Sequence, residues 1–444
     1  GVSAAAAAAA ATVTADIQPP PASRKRLRLD ADAVPPGPED ISLRSRCWHD
    51  DTIVAAAAKI PPESCARSKT RDEQLRFRRQ RMHSHYKDLE KAYLESYSQH
   101  GHKGSGVALN HFEESLSRFT RFSKFSVFAQ LNYAPVYHAS SIVSSIEFDR
   151  DSEYFATAGV TKEIKVYEYK SVVEQPHLET HAPVKRMQCQ SKISCLSWNP
   201  YHKAQIASSD YEGIVSLWDA YTGKRTVTFE GHKKRTWSVD FAPTSPSMVA
   251  SGSDDHQVMI WDVKVEKAVS TIESKANVCC VKFNPESSNY IAFGSADHNI
   301  HYYDLRFLRE SLFAFKGHAK AVSYVKFLSA DELVSASTDS TLKQWSTTDK
   351  ECKRTFTGHT NEKNFVGLST SNDFIACGSE NNAVYTYYKS LSSPVIVHRF
   401  IKGSDEDPSV EDNTNFVSSV CWKTDSQVLL AANSLGTISI MQLE

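Results

Sequence analysis

The sequence has no uninterrupted run of 18 or more apolar residues, so no membrane-spanning helix is expected. It has almost no net charge: 51 Lys and Arg against 52 Asp and Glu leave −1 over 444 residues. Coating nucleic acid requires a marked basic excess, so direct nucleic-acid binding is not expected. Neither part hides such an excess, since residues 1–106 carry 17 basic and 13 acidic side chains and the rest carry 34 and 39. The nine cysteines are irregularly spaced and contain no C-x-x-C pair. That argues against a disulfide scaffold and a multi-cysteine zinc module, and for a reducing compartment. Also missing are G-x-x-x-x-G-K-[ST], G-x-S-x-G, H-E-x-x-H and a G-x-G-x-x-G after a strand. No catalytic set, metal or cofactor is therefore expected in this chain. The alanine-rich start lacks a basic n-region and a leucine-type core, so no signal peptide is read. Residue 1 is Gly rather than Met, and the chain is expected to be processed or part of a longer one.

What is present divides into three segments. Residues 1–69 are expected to be a disordered Ala/Pro-rich leader. They hold alanine runs at 4–11 and 55–58 and eight of the 17 prolines, too little apolar surface to offset chain entropy. Arg24-Lys25-Arg26-Leu27-Arg28 reads either as a nuclear import signal or as a solvated basic patch. Residues 70–122 are expected to be helical. Leu75, Met82 and Leu89 recur every seven residues, with Arg79, Tyr86 and Tyr93 at the other seam positions. Residues 70–99 thus make a dimerisation or partner helix with coiled-coil character, or a helix packed on its own domain. Leu109, Phe112, Leu116 and Phe119 form a second amphipathic stretch expected to pack against the region C-terminal to it.

From 123 to 444 the apolar period becomes two and a long repeat appears. Seven units align, with first strands beginning near Ile142, Ile193, Trp237, Val278, Val322, Phe365 and Val417. Third strands end at Tyr167, Trp218, Trp261, Tyr303, Trp345, Tyr387 and Met441. Gly231-His232, Gly317-His318 and Gly358-His359, with Trp218-Asp219 and Trp261-Asp262, carry the WD-repeat signature. The fold class expected is all-β, a seven-bladed WD-repeat β-propeller. Asp255, Asp297 and Asp339, with Glu212 and Asn381 in the same slot, are expected to orient the histidines within a blade. They are not read as metal ligands or a catalytic pair. The last unit stops at its third strand, so the orphan strand Lys124–Leu131 is expected to complete it. Insertions fall at 170–190 and 402–414, the latter acidic. Cys279-Cys280 lies on an inner strand, where burial is expected rather than reactivity.

Strands of a blade alternate in direction, so the loop entering a first strand and the second-to-third turn share one face. That face collects Lys192, Lys233, Lys234, Arg235, Lys320, Glu362 and Lys363, with Trp237, Phe365, Tyr211, Glu212 and His298. Cations there would select an acidic peptide and aromatics an apolar or proline anchor; the alternative is a solvated rim.

Residues 193–444 resemble the WD-repeat domain of the constitutive photomorphogenic ubiquitin ligase family and its suppressor-of-phytochrome-A relatives. The resemblance is carried by IVSSIEFDRDSEYFATAG at 142–159, ASSDYEGIV at 207–215, RTWSVDF at 235–241, ANVCCV at 276–281, SNYIAFGSADHNIHYYDLR at 288–306, KAVSYVKFLS at 320–329 and GHTNEKNFVGL at 358–368. It covers about 300 residues of propeller, and the helix around Tyr86–Tyr97 is similar to the tail of the family's coiled coil. The resemblance implies a nuclear substrate receptor for ubiquitination of transcription factors and photoreceptor partners in light signalling. It implies acidic Val-Pro peptides as ligands. Lys192 and Arg235 would meet the carboxylates. Trp237, Tyr211 and Phe365 would wall the pocket, and His298, Lys320 and Glu362 would complete the groove. Residues 291–306 are similar to the box by which some WD proteins dock a cullin adaptor, with Asp304 and Arg306 as key residues; an ordinary blade end is the alternative. The ligase family carries a zinc RING, and no Cys/His set of that spacing exists here. The chain alone is therefore not expected to transfer ubiquitin. A RING lies upstream, or the chain resembles the accessory relatives: Phe125–Leu131 and Phe416–Trp422 lean to the accessory type, Asn299–Tyr303 to the ligase. Val34-Pro35 after Asp30 and Asp32 resembles the acidic Val-Pro ligand and could be an internal one, or a chance match in a proline-rich segment.

Overall fold

The structure is a computed structural model, and it describes residues 75–76, 78–100, 105–133, 141–176, 178, 181–371, 373–400 and 414–444. The expected leader, its basic cluster, Val34-Pro35 and all but the last residue of the 402–414 insertion lie outside the described residues. Strands β1–β28 form seven four-stranded sheets. Blades 1 to 6 are β2–β5 (143–188), β6–β9 (193–229), β10–β13 (236–273), β14–β17 (278–316), β18–β21 (322–356) and β22–β25 (368–399). In blade 7, β26–β28 (417–443) receive β1 (Phe125–Asn132) as their outer strand. There Phe125 pairs with Leu443 and Asn132 with Thr437, antiparallel, as the missing fourth strand required. Both ends of the ring therefore meet in one sheet, and the outer side of β28 is covered by β1.

Second strands are rich in small residues, such as Ala250-Ser251-Gly252-Ser253, because blades face each other closely on both sides. A Cβ on Gly252 would come within 2.6 Å of Val278 Cγ1, and one on Gly294 within 2.7 Å of Val322 Cγ1, each in the next blade. First strands are stapled around the channel by side chains reaching the neighbouring backbone. Ser145 Oγ accepts from Leu196 N–H at 3.1 Å, Ser238 Oγ from Val281 N–H at 3.1 Å and Ser369 Oγ from Trp422 N–H at 3.0 Å.

The histidine clamps form in blades 3 and 5. His232 Nδ1 meets Asp255 at 3.0 Å, its Nε2 meets Ser251 Oγ at 2.7 Å, and Trp261 Nε1 donates to the same hydroxyl at 2.7 Å. His318, Asp339, Ser335 and Trp345 repeat this. Three slots differ from expectation, and the first, Glu212, is exposed and makes no hydrogen bond to a histidine among the described residues. Blade 6 has Tyr387 where blades 3 and 5 have Trp; its hydroxyl reaches His359 Nδ1 at 2.9 Å, and Asn381 turns instead to Tyr385. Asp297 holds His301 at 2.8 Å, a histidine of its own blade's third strand.

Helices α1 (Tyr86–His100) and α2 (Ser105–Arg121) pack on blades 6 and 7, and α3 (Tyr169–Glu174) occupies the start of the first insertion. Leu89 joins a cluster with Phe119, Phe122, Phe374, Leu391 and Trp422. Asp88 accepts the backbone N–H groups of Ser392 and Ser393 at 3.2 and 3.3 Å, and Tyr93 meets Phe112 edge-on at 5.2 Å. Half of the heptad seam thus serves this chain's own domain. Leu75 and Tyr86 stay exposed at 44% and 61%. Leu89→Ala is expected to cost about 2–3 kcal/mol of stability in denaturant unfolding. Leu75→Ala is expected to cost almost none, and equal losses would contradict this packing.

Candidate functional site at the channel mouth

The first strand of six blades carries a bulge at the same place, holding Ser144, Ser194, Trp237, Cys279, Ser323 and Ser418. A bulge adds one unpaired residue and re-aims its side chain. In five blades that residue is small; in blade 3 it is Trp237. The contacts run in ring order from blade to blade, so blades 3 and 6 lie on opposite sides of the channel. Trp237 crosses the mouth and meets Phe365 of blade 6 with ring centroids 4.6 Å apart. Tyr211 also meets the indole edge-on at 5.7 Å, and Tyr324 meets Phe365 edge-on at 5.8 Å. The four rings form a belt from blade 2 to blade 6. Burial drives the Tyr324 phenol well above its usual range; burial also raises Tyr211, against the opposing charge of Arg235.

The Arg235 guanidinium lies 4.3 Å from the Tyr211 ring centre and 4.8 Å from that of Trp237, so it is stacked over the belt. Its Nε is buried without a hydrogen-bond partner. Arg235, Lys192 and Lys320 make no ion pair among the described residues. The expected sharing of one face is realised through the backbone. Tyr211 N–H donates to Lys192 O at 3.0 Å, Asp254 N–H to Arg235 O at 2.9 Å and Ala296 N–H to Asn277 O at 2.9 Å.

Of the eight rim residues read from the sequence, Tyr211, Arg235, Trp237 and Phe365 are in mutual contact, and Lys192 is tied to Tyr211. His298, Lys320 and Glu362 stand exposed on the same face. His298 occupies a left-handed turn position, φ +72°, a conformation that all seven second-to-third turns use at one residue. The repeat places Phe365 at the start of a strand, but β22 begins at Leu368. Gly367 has φ +76° and breaks the extended chain, which leaves Phe365 in a loop free to reach the channel. Three participants are absent from the rim assembled by strand direction: Tyr324, Asp254 and Asn277. Tyr324 is detectable as the one bulky residue where the other first strands carry Ser145, Cys195, Ser238, Cys280 and Ser419.

Two other features are self-contained. Arg306 grips Asp304 through Nε at 2.9 Å and Nη2 at 2.6 Å, lowering the carboxyl's pKa by direct hydrogen bonding. The Arg306 guanidinium stays about half exposed, beside the exposed ring of Phe307. Asp149, Asp151 and Glu153 converge, but on the Lys203 ammonium, which therefore fills the position a cation would take. Cys280 is buried and Cys279 half-buried; burial raises both thiols, Cys280 to about 12, so neither is a thiolate at neutral pH.

The model of the WD domain, G-beta repeat, matches residues 181–219, 223–262, 266–304, 309–346 and 350–387. Each match begins with one blade's outer strand and ends with the next blade's third, the same offset that closes the ring. The chain is 50% identical over 381 residues to the E3 ubiquitin-protein ligase COP1 of Arabidopsis thaliana, covering 82% of this chain and 56% of that protein. It is 43% identical to Protein SUPPRESSOR OF PHYA-105 1 of Arabidopsis thaliana over 352 residues, 76% of this chain and 34% of that protein. It is 35% identical to the WD repeat-containing protein RUP2 of Arabidopsis thaliana over 333 residues, 68% of this chain and 88% of that protein. The chain thus spans little more than half the length of the ligase relative it matches.

Proposed function

This chain belongs to the WD-repeat family of the photomorphogenic ubiquitin ligases and their suppressor-of-phytochrome-A relatives, and we propose that its propeller is the substrate-recognition module of a nuclear ubiquitin ligase complex. Its ligands are acidic Val-Pro peptides of transcription regulators and photoreceptor partners. The observation that carries this reading is the stacked Arg235, without an ion pair, above an aromatic belt at the channel mouth. A charge held in place without a partner favours an incoming carboxylate, and Lys192 and Lys320 add to the same field. Proline suits the belt because it brings no N–H to be buried unpaired, and a stiff Val-Pro pair loses little entropy on docking. His298 and Glu362 flank the groove and contact residues beyond the anchor.

Ubiquitin transfer is supplied by a RING outside residues 1–444. The greater identity to the ligase than to the suppressor relatives supports the ligase branch; an accessory or scaffold component without transfer activity is the second reading. Asp304 and Arg306 form the adaptor-docking point, supported by the exposed guanidinium next to Phe307. Residues 70–99 join copies or relatives through Leu75, Tyr86 and Leu94, all exposed. The Arg24–Arg28 cluster directs the chain to the nucleus. Calorimetry of the full chain with an acidic Val-Pro peptide and its Ala-Ala counterpart tests the reading. Micromolar binding lost with Ala-Ala and weakened by salt is expected; equal behaviour of the two peptides would leave the scaffold reading.

A further inference from the structure

We infer that Asp254 and Glu380 are positioning residues of the peptide site, fixing the two aromatic side chains that meet across the channel. The inference rests on the peptide-receptor reading and names what makes that site rigid. The two acids occupy corresponding turn positions in blades 3 and 6: Asp254 directly follows β11, which ends at Ser253, and Glu380 comes one residue further on, after β23 ends at Gly378. The occupants of this position in the other blades are Val160, Tyr211, Ala296, Thr338 and Ser434, apolar or hydroxyl-bearing but none of them acidic. The fold's demand on this position is met by the main chain. Each residue's N–H donates to a carbonyl in its blade's entry loop, as Asp254 does to Arg235, Glu380 to Thr360 and Ala296 to Asn277. The side chain is therefore free for other work, and blade 2 uses it to present Tyr211.

In blade 3 the work is to hold the indole. Trp237 Nε1–H donates to Asp254 Oδ1 at 2.7 Å, and Asn277 Nδ2 donates to the same oxygen at 2.9 Å. With its backbone bond to Arg235, Asp254 grips both ends of Arg235-Thr236-Trp237. In blade 6 the work is to hold the loop before Phe365. Glu380 Oε1 accepts from Lys363 N–H at 2.8 Å, from Asn364 N–H at 2.7 Å and from Asn364 Nδ2 at 3.1 Å. A partly buried tryptophan on a bulge and a phenylalanine in a loop would otherwise be ordered only on binding, at a cost in affinity. The arrangement also sets specificity. With its one N–H satisfied, the indole offers only hydrocarbon to a ligand, so the pocket discriminates by shape.

The test is a double-mutant cycle on the full chain, read with the acidic Val-Pro peptide. Asp254→Ala is expected to weaken binding about tenfold, the scale of a lost charge-assisted hydrogen bond. Asp254→Asn keeps an oxygen acceptor and is expected to stay close to wild type. In a Trp237→Phe background, which has no indole N–H, Asp254→Ala is expected to cost nothing further. Wild-type binding by Asp254→Ala, or an undiminished loss in the Trp237→Phe background, would overturn the inference. Ala296 already fills this slot in blade 4, so the alanine variant is compatible with the blade; a falling stoichiometry at constant affinity would mean a purely structural role and also overturn it. A readout without peptide separates this from the receptor reading. Trp237 is the one tryptophan among the described residues that is not buried. Its emission, taken as the difference from Trp237→Phe, should become more accessible to acrylamide in Asp254→Ala. Unchanged quenching overturns the positioning role even if Val-Pro binding is real. Increased quenching with no Val-Pro preference in wild type overturns only the receptor reading.

Discussion

Replacing Trp237 by alanine is expected to lower affinity for an acidic Val-Pro peptide by about 2 kcal/mol or more, roughly thirtyfold, with the fold intact. The indole is the centre of the belt: Phe365 lies 4.6 Å from it, Tyr211 5.7 Å, and the Arg235 guanidinium 4.8 Å. Its removal takes away one wall of the pocket and one of the two rings on which Arg235 is stacked, so hydrophobic and electrostatic contributions fall together. Stability should change little, because Trp237 is only partly buried and sits on a bulge whose other occupants are mostly serines. Calorimetry and a denaturation curve on the same preparation separate the two effects. Retained affinity would move the site elsewhere on the face.

The largest stability effect outside the apolar core is expected from Asp255→Ala, about 3 kcal/mol. Its carboxylate accepts from His232 Nδ1 at 3.0 Å, Lys233 N–H at 2.9 Å and Gln257 N–H at 3.1 Å, and each such bond is worth about 1 kcal/mol net. Without it the His232–Ser251–Trp261 chain loses its terminal acceptor inside blade 3. The same carboxyl predicts a pH dependence. Burial alone would raise it, but the His232 hydrogen bond and the two backbone N–H groups prevail and bring it to about 2, below the usual 3.8. A value depressed on folding means stability present above pH 3.8 and lost as pH falls towards 2. His359 acts at higher pH. Burial holds it at about 4 against 6.5, so its neutral form stabilises the fold above pH 6.5 and that contribution fades between 6.5 and 4. Acid titration of the folded fraction should therefore show a shallow early loss in wild type and variant alike. The loss between pH 3.8 and 2 should be smaller in Asp255→Ala; identical profiles would exclude the clamp as its source.

The rim was legible because blade geometry assigns loops to faces from strand direction alone. Asp254 and Glu380 were not. Their side chains matter through Trp237 and the Asn364 loop, and that link exists only once a turn is folded back beside the strand entry. His359 is instructive in the same way. Alignment with the other turns pairs it with Asn381, yet a tyrosine hydroxyl is longer than the indole it replaces and reaches the ring first. The heptad in residues 75–93 was ambiguous for a further reason. An apolar stripe records that a helix face is covered but not by what, and here Leu89 is covered by blades 6 and 7.

By itself the sequence determined the propeller, its seven units and its closure. Strand alternation, turn residues and the Gly-His and Trp-Asp pairs are local properties, and the missing fourth strand of the last unit leaves β1 as its complement. Tertiary structure alone decided which residues meet across the channel. Trp237 and Phe365 are 128 positions apart and belong to opposite blades, so only ring closure brings them to 4.6 Å. The bulge aims one and Gly367 releases the other from its strand. Neither would form a belt without the curvature that seven packed blades impose.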